Sequence, residues 1–288
     1  MGIWKSFFKG FGHTVANFKV IIYLWIINLL FSLLVAAPIY AFVTRGLSKS
    51  LMGDRLLEKM DFLWLGDLIY RLQEPGYLLP FWLVVPAIAF LLLYVFLNGG
   101  ILGSLKDSEE KVTLQGFFGH CGYYFWRFFK LFLVSILFYA VFVGVIYGLI
   151  GALLKLFTDS AVTQWPLIIV GFVKMALFVL LFSLVNMLFD YVKIRVVMTD
   201  GPRVINALLE AIRFLRRKLW PAWGLYLLIG VVFVIVSLVY LEVAQLIPDH
   251  GTLLILLLFL WQQLYILAKL GIKLHFFASQ LTFYHPNY

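Results

Sequence analysis

Six stretches of this chain, each about as long as a helix needs to cross a hydrocarbon core of ~30 Å, carry almost nothing polar. They run from Val20 to Val43, Tyr77 to Leu97, Leu131 to Leu154, Pro166 to Phe189, Ala222 to Leu246 and Thr252 to Leu270. Strands of a membrane barrel would alternate apolar and polar positions with a period of two, and these runs do not. The expectation is an all-α membrane protein with six transmembrane helices, residues 1–288 forming a single polytopic domain. A composition that is 64% hydrophobic and only 13% charged agrees, because a water-soluble domain could not cover that much apolar surface.

The net charge of +9 is distributed at the ends of the apolar runs, which points to anionic lipid headgroups and away from nucleic acid. If the spans form three hairpins, 16 of the 23 Lys and Arg residues share a side with both termini and 6 lie opposite. Lys174 falls within a span. The positive-inside bias then makes both termini cytoplasmic, in a cell inner membrane. The first run, 24 residues long, exceeds a signal-peptide core of about 7–15 residues, so it reads as a retained span.

Each odd-numbered span is introduced by rings and cations. The clearest case is "GFFGHCGYYFWRFFKLF" (116–132); the others are "IWKSFFKGFGHTVANFK" (3–19) and "EAIRFLRRKLWPAWG" (210–224). Aromatic rings with polar edges favour the headgroup zone, where Lys and Arg also remain near phosphates. Residues 1–19, 104–130 and 190–221 are therefore expected to form cytoplasmic interfacial segments, with an amphipathic helix before each hairpin. A shared F-G-H-x4-F spacing at Phe11 and Phe118 suits a threefold repeat, though a common solvent would select the same chemistry. Segment 44–76 should be external and hold an amphipathic helix, with Leu57, Met60, Trp64, Leu68 and Leu72 on one face behind a cap at Asp54. "PDHG" (248–251) leaves room only for a tight turn.

Small residues recur every fourth position at Gly144, Gly148 and Ala152, and at Gly99 and Gly103; close packing of helices within the chain is the reading taken here. The lone Cys121 excludes an intrachain disulfide and is read as a small packed side chain. Ionisable groups in hydrocarbon cost about 2.5–3.5 kcal/mol each on insertion scales, so Lys174 and Glu242 are expected to pair. Asn98, Asn186, Asp190, Gln262 and Gln263 end the even-numbered spans and would either hydrogen-bond between helices or line a cytoplasmic vestibule; the first is preferred. Arg213, Arg216, Arg217 and Lys218, with Arg127 and Lys130, are candidates for docking anionic lipid or an acidic partner.

Signatures of metal or nucleophilic chemistry are not found. His13, His120, His250, His275 and His285 lack metal-ligand spacing, and no phosphate-cradling loop occurs. No cofactor is expected. The stretches "FLNGGILGSLKD" (96–107), "CGYYFWRFFKL" (121–131) and "DYVKIRVVMTDGPRVINALLEAIRFL" (190–215) resemble uncharacterised six-helix bacterial membrane proteins. These are distantly similar to the membrane domain attached to some glycerophosphodiester phosphodiesterases. The resemblance implies six helices and carries no catalytic residue, since no counterpart of the soluble phosphodiesterase domain is found in the chain. The expected function is a non-enzymatic membrane subunit that scaffolds a larger assembly, with lipids and membrane proteins as partners. The alternative is a permease for a lipid or other amphiphile working with a separate ATPase.

Overall fold

The computed structural model describes residues 2–47, 79–107, 112–155, 165–201, 204–248 and 251–284. Among them the only regular elements are helices: α1 (Ile3–Ala16), α2 (Phe18–Leu47), α3 (Leu79–Lys106), α4 (Leu114–Tyr139), α5 (Ile146–Lys155), α6 (Trp165–Thr199), α7 (Val204–Leu246) and α8 (Thr252–Tyr284). A π-helical stretch, Ala140–Val145, joins α4 to α5. Among the described residues six helices are long and apolar enough to cross a membrane, which makes this a multi-pass membrane protein by length and composition. The expected external helix, with Leu57, Met60, Trp64, Leu68 and Leu72, lies outside the described residues, as do His250 and His285.

Helix ends follow from local chemistry. Asn17, with φ −99° and ψ 29°, separates α1 from α2, and its side-chain amide donates to the His13 carbonyl at 2.9 Å. Thr113 caps α4 by accepting from the Gly116 amide at 3.1 Å. α7 breaks at Lys218 (φ −131°, ψ 30°), three residues before Pro221, whose ring cannot follow an unbroken helix. Gly251, at φ 97°, supplies the left-handed residue that the turn into α8 needs. Residues 114–130, before the third span, and the start of that span share one continuous helix, α4.

The chain divides into two compact units, Tyr23–Tyr94 and Met1–Ile22 with Val95–Tyr288. Within the smaller unit, the rings of Phe31 and Phe90 lie 5.6 Å apart. The larger unit contains the packed core described next. At 35 residues α6 is about 52 Å long, well beyond a ~30 Å hydrocarbon core, and its surplus length is where burial concentrates. Val185, Met187, Phe189, Tyr191, Val192, Ile194, Val196 and Val197 are buried near its C-terminal end. α7 answers with Val204, Ala207, Ala211, Leu215, Ala222, Leu225 and Ile229, spaced so that one face recurs along the helix. The centre is the end of α8, where Phe277 to Phe283 are all buried, so that part of the helix is covered all round.

Backbones approach closely at two crossings. A Cβ on Gly10 of α1 would overlap the Ser279 hydroxyl and lie 2.6 Å from the Ser279 Cα of α8. One on Gly100 of α3 would sit 2.6 Å from the Phe117 ring of α4, and one on Gly103 would strike the His120 imidazole. The Gly99 and Gly103 stripe therefore packs inside the chain as expected, and Cys121 is buried against it. The stripe that runs from the π-helical stretch into α5 does not: Gly144 and Gly148 meet no atom within 4 Å, and Ala152 is exposed. The reason is that α5 turns another side, Gly151, toward Lys174 of α6.

This difference between the two stripes is measurable. Gly100→Val should destabilise the detergent-purified protein by about 1–3 kcal/mol, as overpacking does in a filled site, whereas Gly148→Ala should leave thermal unfolding unchanged or slightly later, since Ala favours helix over Gly. Equal losses in the two variants would contradict the packing described.

Candidate functional site

Three elements meet at Asp200, which follows the end of α6 at φ 49°, a left-handed conformation that Asp tolerates better than most residues. Its carboxylate accepts hydrogen bonds from Lys106 Nζ at the end of α3 and from the Tyr124 hydroxyl of α4, the latter at 2.7 Å. Arg127 of α4 comes within 3.8 Å and lays its guanidinium over the Tyr123 ring, 4.7 Å from the centroid. Beside it, His120 Nε2 lies 3.2 Å from Asp107. Burial tends to raise the Asp200 carboxyl, but the bonds from Lys106 and Tyr124 and the charges of Lys106 and Arg127 outweigh it and hold the group below its ordinary range.

A second junction joins α6 to α7 and α8. Arg195 donates from Nε to Glu210, and the rings of Tyr191, Phe214 and Tyr284 form a mutual cluster, with Tyr191 5.3 Å from Phe214 and 6.3 Å from Tyr284. Lys193 Nζ reaches Asp190 at 2.9 Å, one turn back on the same helix. Farther along, α7 and α8 pack together through stacked rings of Tyr240 and Tyr265 (4.2 Å), and Trp261 Nε1 donates to the Tyr240 carbonyl at 3.1 Å. His275 is buried between the Phe7 and Phe11 rings of α1, its Nδ1 3.3 Å from the Ser279 hydroxyl. No group of three or more His, Cys, Asp or Glu side chains among the described residues is arranged to hold a metal ion.

The sequence-predicted polar residues do not converge. Asn186 accepts from the Tyr139 hydroxyl and so links α6 to α4. Asp190 holds Lys193. Asn98 is buried in α3, and its Oδ1 finds no partner among the described residues. Gln262 is exposed and Gln263 half-buried. Among the described residues no ion pair joins Lys174 to Glu242: the lysine stem runs against Gly151 of α5, where the missing side chain leaves room, and Glu242 is exposed. Arg127 also departs from the docking role expected of it, because its charge is turned inward to Tyr123 and Asp200. Arg213, Arg216, Arg217, Lys218 and Lys130 are exposed, as a docking surface requires.

One open apolar cavity, about 430 Å³, runs between α6 and α7. Phe172, Met175, Val179 and Ser183 line it from α6, and Trp223 and Leu227 from α7, with Trp223 Nε1 donating to Ser183 Oγ at 3.2 Å. None of the five polar candidates borders it. Comparison with protein-family models, with curated proteins and with solved structures returns no match.

Asp200, Glu210, Tyr124 and Tyr139 were missed by the sequence reading. Asp200-Gly201 is a turn signal that could have marked the first. The remaining partners depend on tertiary neighbours that no local pattern encodes.

Two outcomes follow from these contacts. A carboxyl held below its ordinary value stabilises the fold above its unfolded pKa and loses that contribution as pH falls through the folded one. The gap in thermal stability between the wild type and Asp200→Asn should therefore be constant from about pH 7 to 5 and close below about pH 4, where the unfolded carboxyl titrates. A gap that persists at the lowest pH would contradict the assignment. Lys174→Met and Glu242→Gln, combined, should add to within about 0.5 kcal/mol, as uncoupled sites do. A larger interaction energy would restore the pair.

Proposed function

We propose that the chain is a non-enzymatic integral subunit of the cell inner membrane that anchors or scaffolds a larger membrane assembly. The observation that carries this reading is how little the spans cover one another. In the most apolar stretches of α6 and α7 only 6% of residues are buried within the chain, and in that of α8 none is. Lipid or the helices of a partner must cover the rest, since water cannot. The outward stripe of Gly144, Gly148 and Ala152 suits close approach by another helix.

In this reading the six spans form three hairpins with both termini cytoplasmic, the packed core lying at the cytoplasmic interface. α1 supports that location, because Ser6, Gly10 and Thr14 are buried while Trp4, Phe8, Phe11 and Val15 are exposed, which leaves ring surface for headgroups to meet. The resemblance to six-helix bacterial membrane proteins is compatible with the arrangement and adds no catalytic role. The open groove between α6 and α7 is what favours the second reading, a permease for an amphiphile. Against it stand Asn186 and Asp190, which are engaged by neighbours instead of facing a common pathway.

Purification in a mild detergent should yield a complex of fixed stoichiometry whose partner lacks nucleotide-binding motifs. Gly148→Leu should weaken that complex while the chain alone keeps its thermal stability. An ATPase as the stoichiometric partner, or lipid flux in liposomes holding this chain alone, would overturn the scaffold in favour of the permease.

A further inference from the structure

The basic cluster on α7 lies a few residues before Trp223 and Leu227, which line the apolar groove. Arg213, Arg216, Arg217 and Lys218 are all exposed, and no ion pair among the described residues engages them. The nearest acidic group in sequence, Glu210, is held by Arg195. Lys218 marks the break in α7, and Trp220 just beyond it is exposed with its ring 6.0 Å from that of Trp223. Trp223 lines the groove, so Trp220, two residues beyond Lys218, brings the basic stretch up to the groove's polar end.

The groove has a direction. Its polar end is the Trp223–Ser183 hydrogen bond, and from Ser183 it runs along Val179 and Met175 to Phe172, with no charged residue in its lining. Ser183 to Phe172 is eleven residues, about 16 Å at helical rise, which is close to the depth of one leaflet of a ~30 Å hydrocarbon core. Arg217 lies three residues before Trp220, at most about 11 Å along the chain whatever the angle of the break at Lys218, a distance that a phosphate at the headgroup level and an extended arginine stem can span. Charge complementarity at the rim and an apolar trough of leaflet depth below it describe a phospholipid with an anionic headgroup.

We infer that the α6–α7 groove seats one anionic phospholipid, with its headgroup phosphate on Arg216 and Arg217 and an acyl chain lying along Ser183 to Phe172. This rests on the membrane-subunit reading for the orientation of α7, but it requires no protein partner. The site explains why a helix-to-helix gap is left open where a bundle would ordinarily close: the acyl chain is the filler. Trp220, on the rim, would lie at the level of the ester groups, where its amphipathic ring is favoured.

The test uses the full chain alone in mild detergent, delipidated, then given phosphatidylglycerol, phosphatidylcholine of the same acyl chains, or inorganic phosphate, with bound lipid counted by native mass spectrometry. One phosphatidylglycerol per chain should be retained, about tenfold or more over phosphatidylcholine, from the attraction of arginines to anionic headgroups. Inorganic phosphate should not displace it. Arg216→Gln with Arg217→Gln should abolish the preference, and Ala176→Trp, which fills the groove, should abolish retention, both without lowering the thermal stability of the lipid-free chain. Should Ala176→Trp fail to fold, Val179→Phe at an exposed groove position serves the same purpose. Retention undiminished by groove filling, displacement by phosphate, or equal retention of phosphatidylcholine would each overturn the proposal. Because lipid is counted on the isolated chain, a failure here is distinct from the absence of a stoichiometric partner.

Discussion

A backbone amide surrounded by hydrocarbon has no water to bond, so every apolar run of this chain must satisfy its own N–H and C=O groups. Helix is the answer for a single segment, and that requirement alone accounts for the six long apolar helices. It also removes the usual reason for helices to associate, because lipid tails are as apolar as the leucines and phenylalanines they would replace. What holds such helices together has to come from close backbone approach and from polar contacts. In this chain both gather where helices extend beyond the length a bilayer needs.

The packed core follows from that. Just before its last residue α8 carries seven consecutive buried residues, against which α1 lies closely enough that Gly10 leaves no space for a side chain. α3 and α4 cross through Gly99, Gly100 and Gly103. The loop after α6 is tied down by one carboxylate, Asp200, which draws Lys106 and Tyr124 from two other helices. With the Asp200 side chain 42% exposed, its ion pairs add little net stability, and the junction's part is to specify which ends meet. Away from this core the spans expose their apolar faces, and whatever adjoins the chain in the membrane completes them.

Spans were legible in the sequence because hydropathy over about 20 residues is a direct physical requirement of the solvent. The Gly99 and Gly103 stripe was legible for a related reason: small residues at a spacing of four serve close approach. Tertiary partners were not. Gly144 and Gly148 carry the same spacing and yet face outward, since the pattern reports a capacity for contact and says nothing of which surface is used. Lys174 and Glu242 looked like a pair because both are charged in apolar runs, but burial depends on rotation about the helix axis, and Gly151 offers the lysine a closer bed. The end of α8 was hardest to read: "FASQLTF" mixes polar and apolar residues because it is covered on every side, and full coverage leaves no period.

Sidedness is the claim on which the proposed cytoplasmic position of the core and the proposed docking role of the basic face both depend. It is tested most directly by labelling intact cells with a membrane-impermeant thiol reagent, which is favourable here because the sole native cysteine, Cys121, is buried. Cysteines introduced at Leu246 and Leu253, exposed residues flanking the turn between α7 and α8, should react from outside; one at Arg216 should react only after the membrane is opened. Labelling of all three from the same side, or reaction at Arg216 in intact cells, would contradict the account.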